Sequence, residues 1–497
     1  MREQTTRRLA FVVLLLCGVC ILFGYGGRVL AAAQPDRTNT IYLPIVPVRA
    51  PQTTSDLQIV HMGLYQSVQS QSNGVTLVAH KPAMLRVYAQ STTSSGPILA
   101  DVTVVAERDG QIIGSQTITP HTVSSTPSAD NLDSTFNFEL PLEWLSGEIT
   151  LTATIDDQDL LAEPNEANNA MRMTFAFQAV PPLDLTIVPI HYIDTVTGVT
   201  FAEPGHDPVS DWLLSAFPVS EINVTIHTPI TFRGDLRQGD EWQRLLEELT
   251  DVWTAEVGAQ SPHAYFGLIP NRGLGGESWF EGGVSGFGWN GLRVSVGLDV
   301  GEETAATAGH ELGHNFGRDH APCGNPSNID PHFPYPDASI GVYGVDTTDE
   351  TLLDPALTRD MMSYCGPEWV SDYTYEGLLQ DQMQQGTRAR LSDDGLLIRA
   401  SLDGAAVTMH SVYRVERSFQ SRESSGSYQV ELFNADGESL GVFPAELYEA
   451  EETGVSASML LAYAPGIAAD EAVARVQFVK DGRIIAERAI DGVQEIK

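Results

Sequence analysis

Between His310 and His320 the chain reads His-Glu-Leu-Gly-His-Asn-Phe-Gly-Arg-Asp-His, and no other feature of its 497 residues constrains the fold as much. This is the complete pattern H-E-x-x-H-x-x-G-x-x-H, and a chance match has a probability of about one in ten thousand. Residues 302–316 are expected to form a helix. Residues four apart share a helix face, so His310 and His314 present their imidazoles to one point, with Glu311 beside them. Gly317 suits the left-handed conformation that ends a helix, and the turn it allows brings His320 back as a third imidazole.

Three neutral nitrogens around an open position define a catalytic zinc site. A structural zinc site is usually closed by a fourth protein ligand, often Cys, which the local spacing does not supply. Zinc at such a site lowers the pKa of a bound water and polarises a carbonyl, and Glu311 is the expected general base. One catalytic Zn2+ is therefore the expected cofactor.

The motif resembles that of metzincin zinc endopeptidases, and Asp360-Met361-Met362-Ser363-Tyr364-Cys365 is similar to the Met-turn of that clan. The resemblance implies that Met362 lies beneath the metal and that Tyr364 stands near it, where a phenol assists an oxyanion. It also implies that Cys323 and Cys365 are neighbours, joined by a disulfide that pins the Met-turn to the third-ligand loop. An edge strand that pairs with extended substrate is implied somewhere in or just after the stretch 273–291. That stretch has eight glycines interleaved with Trp279, Phe280, Phe287 and Trp289. His314-Asn315-Phe316-Gly317 resembles adamalysin-like and secreted mucin-cleaving bacterial metzincins, although Ala321 stands where adamalysin-like enzymes carry Asp.

The remaining sequence divides around this segment. Arg2, Arg7 and Arg8 precede an apolar run from Leu9 to Phe23 and then Ala31-Ala32-Ala33, so residues 1–33 read as a secretory signal peptide. An uncleaved N-terminal anchor is the alternative. Of the four cysteines, Cys17 and Cys20 leave with that segment, and the remaining pair would sit in an oxidising space. Residues 34–56, rich in Pro, Thr and Arg, read as a linker. Alternating segments such as Met84-Leu85-Arg86-Val87-Tyr88 and Ile149-Thr150-Leu151-Thr152-Ala153-Thr154 make residues 57–180 an expected β-sandwich. Its closing stretch, Ile155-Asp156-Asp157 followed by Glu163-Pro164-Asn165-Glu166-Ala167-Asn168-Asn169, resembles CARDB-type immunoglobulin-like domains. After Pro181-Pro182, residues 181–388 form the expected zinc domain, with helical spacing at Trp242, Leu245, Leu246, Leu249 and Trp253. Residues 389–497 return to short strands and read as a second β-sandwich. The expected fold class is thus a multidomain chain in which an α+β metzincin-like catalytic domain is flanked by N-terminal and C-terminal β-sandwich domains.

Lys plus Arg number 28 against 65 Asp plus Glu, a formal net charge of -37, which disfavours a nucleic-acid partner. No membrane association is expected once the signal peptide is removed. Ca2+ is compatible with the composition but unsupported, since no calcium-repeat array follows Arg388. The expectation is a secreted zinc-dependent endopeptidase that hydrolyses peptide bonds of extracellular proteins or glycoproteins. The alternative is an adhesion or binding protein carrying an inactive metzincin domain. No cysteine precedes the zinc domain in the mature chain, which disfavours a cysteine switch, and the shortness of residues 34–56 as a prodomain makes the N-terminal sandwich the expected cover of the cleft if the enzyme is latent.

Overall fold

Alternation of inward apolar and outward polar side chains builds most of this chain. The computed structural model describes residues 55–495 apart from 93–96, 203–204, 259, 273–282, 386–389, 392–394, 405, 411, 416–417, 420–426, 453, 468–472 and 491–492. The expected signal peptide, nearly all of the expected linker, and Trp279 and Phe280 lie outside the described residues.

Two sheets packed around one core make up the first part. Leu57–Tyr65, Met84–Ser91 and Phe136–Glu139 form one, while Ile98–Arg108, Gln111–Val123, Glu148–Ile155, Ala170–Gln178 and the short Leu77–Val78 form the other. Along Glu148–Ile155, Ile149, Leu151, Ala153 and Ile155 are fully buried, as the two-residue period requires. The loop before Ala170–Gln178 is tied internally: Asp156 accepts from the backbone N–H of Leu160 and Leu161, and the Asn169 amide donates to Glu163 and Glu166.

The middle part centres on strands β1 (Leu183–Asp194), β2 (Ala264–Pro270), β3 (Gly286–Gly288) and β4 (Val294–Asp299). β1, β2 and β4 run parallel, and β3 is antiparallel to β4 at the edge of a seven-stranded sheet. β2 is buried at every position because both its faces are covered. Tyr265 and Ile269 join a core with helix α1 (Gly239–Val257), whereas Ala264, Phe266 and Leu268 join another with helix α2 (Thr304–Asn315). Trp242, Leu245, Leu246, Leu249 and Trp253 of α1 are all buried, as their spacing predicts.

The last part is one nine-stranded sheet. Its longest members, β5 (Ser439–Glu452) and β6 (Val455–Pro465), form an antiparallel hairpin in which Glu452 pairs with Val455. Alternate residues of β6 enter different cores: Leu460, Ala462 and Ala464 pack within the sheet, while Ala457, Met459 and Leu461 pack with α1 and the central sheet.

The expected fold class is corrected by this architecture. Strand makes up 47% of the described residues and helix 16%, so the described structure is mostly β and does not fit the α+β metzincin-like domain expected for residues 181–388. Two helix-period segments weighed heavily in the sequence because their apolar spacing is easy to read. The strands around them are short or buried on both faces, and such strands show no alternation. The outer parts pack against the middle one. Val68–Gln69 pairs with Tyr343–Asp346, and Gln382 donates to the carbonyls of Pro181 and Pro182. Val68, Val75 and Val78 share a core with α2, and residues 52–497 form one compact unit.

Candidate metal centre

Helix α2 sets the site, and its end is fixed by Asn315. The Asn315 amide donates to the carbonyls of Trp289 and Val294 and accepts from the Ser295 hydroxyl, which locks the last turn against β4. Gly317 follows with φ 73°, in the left-handed region expected of it, and the chain turns back toward His320.

The three histidines are brought together and buried, at 8%, 5% and 0% exposure for His310, His314 and His320. Each Nδ1 donates to a backbone carbonyl: His310 to Met361 at 2.7 Å, His314 to Arg318 at 2.7 Å and His320 to Ser327 at 2.8 Å. That arrangement turns every Nε2 inward, the outer-shell pattern of metal-ligating histidine.

The fourth member of the cluster was missed in the sequence. Glu452, the last residue of β5, places Oε1 3.3 Å from the Nε2 of each histidine, and the four ligand atoms lie within 4.8 Å of one another. Nε2 of His314 and His320 are 3.2 Å apart. A tetrahedron with metal–ligand bonds near 2.0 Å has edges of about 3.3 Å, so this donor set fits a zinc-sized ion. The expectation of an open fourth position is corrected: a carboxylate occupies that corner.

Electrostatics favour a cation at this point. Burial pulls the His314 imidazole down to about 4. At His310 burial also lowers the pKa, but the carboxylates of Glu452 and Glu311 outweigh it and lift it to about 9. Burial opposes ionisation of Glu452 as well, yet the three imidazoles hold its carboxyl well below the usual range. The buried carboxylate thus favours positive charge in the cluster, and a metal ion is one group that could supply it.

Glu311 is 2% exposed, and its Oε2 has no hydrogen-bond partner among the described residues. Burial first, then the nearby Glu452 charge, raises its pKa well above the ordinary value. It lines a cavity of about 370 Å³ with His310, Tyr364, Glu368 and Glu452. The Tyr364 hydroxyl lies 3.2 Å from His320 Nε2 and donates to Glu452 Oε2. Met362 is buried beneath α2, its sulfur 2.3 Å from the point that a Cβ on Gly313 would occupy. The disulfide joins Cys323 to Cys365 with Cα atoms 5.7 Å apart. Beside it, Ala321 N–H donates to the Met362 carbonyl and Tyr364 N–H to the Cys323 carbonyl. Of the aromatic residues in the glycine-rich stretch that the structure describes, Phe287 and Trp289 are core residues.

Fold and site together define a mostly β protein with a buried centre of three histidines and one glutamate suited to a metal ion. No known family pattern matches the sequence, and no characterised protein matches it. Among solved structures, the CARDB domain of a Pyrococcus furiosus protein, in complex with di-metal ions, is 17% identical, covering 25% of this chain and 90% of its own length with a TM-score of 0.16. A domain from Methanosarcina acetivorans that carries a cell-surface designation is 19% identical over 25% of this chain and 91% of its own, TM-score 0.18. The β-glucuronidase of Parabacteroides merdae is 11% identical over 44% of this chain and 25% of its own, TM-score 0.15. At those identities and scores the likenesses carry neither fold nor activity over to this chain. No helix among the described residues is long and apolar enough to cross a membrane.

Proposed function

We propose that the chain is a zinc-dependent endopeptidase acting on extracellular proteins or glycoproteins. The observation that carries this reading is the pairing of a zinc-sized donor set with a buried Glu311, whose Oε2 has no hydrogen-bond partner among the described residues and which lines a cavity beside the histidines. His310, His314 and His320 would hold the ion, which supplies Lewis-acid activation of water and of a carbonyl. Glu311 takes a proton from the attacking water as it adds to the carbonyl carbon, then delivers a proton to the amine as the C–N bond breaks. The Tyr364 hydroxyl donates to the oxygen on which negative charge develops. Motif and Met-turn resemble those of metzincin endopeptidases, and the leader-like N-terminus supports an extracellular location.

One observation favours a second reading. Four protein ligands are the mark of a structural zinc site, so Glu452 is compatible with a binding protein whose metal only holds the last sheet to α2. Such a site has no use for Glu311, whose burial without a partner is unfavourable. The deciding experiment is cleavage of a proteome-derived peptide library, read by mass spectrometry, with Glu311→Gln and chelator-treated protein as controls. The endopeptidase reading expects cleavage that falls at least about a hundredfold in both controls. Cleavage that survives Glu311→Gln would reject it.

A further inference from the structure

The hairpin of β5 and β6 packs against the open edge of the central sheet, beside the histidine cluster. β5 runs against edge strand β3, and Asn290 N–H, just beyond β3, donates to the Glu449 carbonyl of β5 at 2.7 Å. Three residues later Glu452 reaches the histidines. Cavities flank the end of this strand on both sides. One of about 370 Å³ holds His310, Glu311 and Tyr364, and the other, about 290 Å³, holds His314, Asn290 and Asp319. The end of the strand therefore lies between two cavities, one lined by His310 and the other by His314. Gln260 donates to Glu446 and Tyr448 of the same strand, which fixes it further back.

We propose that this hairpin is an internal plug: Glu452 is the fourth ligand of the metal, β5 fills part of the substrate groove, and the wild-type chain turns over slowly, only through the fraction of molecules in which the hairpin has withdrawn. The inference rests on the metal centre of the reading above and adds the origin of its regulation. Because Glu452 fills the corner that water or a carbonyl must take, hydrolysis requires the hairpin tip to withdraw. A ligand that needs the open form binds more weakly by the fraction of molecules that are open. The cover expected from the N-terminal sandwich is replaced by one from the C-terminal sheet.

The test uses the full chain with Co2+ as the probe, and acetohydroxamate as a small metal-seeking ligand. The d–d spectrum of the wild-type cobalt protein should resist hydroxamate, while that of Glu452→Gln should differ at the outset and titrate with an apparent Kd lower by at least about tenfold. Peptide cleavage by the zinc form of the variant should rise by a similar factor. Wild-type protein whose spectrum titrates as readily as the variant's would overturn the plug and leave the metal centre standing. Failure of Co2+ to bind either protein would overturn the centre itself. If the variant does not fold, a wild-type spectrum that hydroxamate shifts to saturation overturns the plug by itself, and one that it leaves unchanged supports it.

Discussion

Glu452 Oε1 lies 3.3 Å from His320 Nε2, although 132 residues separate the two in the chain. The contact joins the end of a strand in the last sheet to the turn after α2, so the metal centre belongs to two parts of the fold at once. Any ion bound there links the packing of the C-terminal sheet to the geometry of the histidines.

The close approach of β3 to Glu311 makes Gly286 a sensitive position. A Cβ there would collide with Glu311 Oε1 and Cγ, so the side chain must shift into the cavity that it lines. Gly286→Ala is expected to displace the carboxylate and lower kcat by at least about tenfold, with bound zinc per chain unchanged. Elemental analysis beside peptide kinetics checks this, and an unaltered kcat would contradict the role given to Glu311.

The disulfide closes a loop with a sequence separation of 42 between the third-ligand segment and the Met-turn. A loop of that length contributes about 4 kcal/mol through the unfolded chain, less where the reduced chain keeps structure. Cys323→Ser with Cys365→Ser should lower unfolding stability by about 2–4 kcal/mol. It should also weaken zinc retention against a competing chelator, because Ala321 and Tyr364 hydrogen-bond across the same junction. Equal denaturation midpoints for the two proteins would contradict this.

Lys81 gives a pH signature. Its ammonium is buried against the Leu214 and Ser215 carbonyls, and burial, opposed in part by Asp346, pushes its pKa down to about 7. The unfolded side chain keeps its proton to about pH 10.4, so between those values the unfolded state binds more protons and stability rises with pH. The penalty of burying the charge is fully present below pH 7 and is relieved toward pH 10. Urea unfolding should show a rise of a few kcal/mol across that window that is absent in Lys81→Met. Parallel profiles would reject the assignment.

Much of the site was legible because its signals are local. His310, Glu311, His314 and His320 fall within one helix and its closing turn, and Met362, Tyr364 and Cys365 within one short segment. Glu452 was not, since it lies far along the chain in a run with Glu446, Glu449 and Glu451 that reads as solvated charge. A weak signal did exist: Tyr448 and Ala450 are the inward residues of β5, and the two-residue period carries Glu452 to the same face. A carboxylate on the inward face of a strand needs a partner. The overall class was harder to read because the strands of the middle part are short or fully buried, and because the shared cores depend on pairings between residues such as Val68 and Gly344 that no local pattern encodes.

The central claim is that three histidines hold one metal ion. Its most direct test is the zinc content of the dialysed full chain, measured by elemental mass spectrometry beside His314→Ala. The account predicts one zinc per wild-type chain, tightly retained, and a variant that loses it under the same dialysis. Wild-type protein without zinc, or His314→Ala that keeps it, would contradict the account.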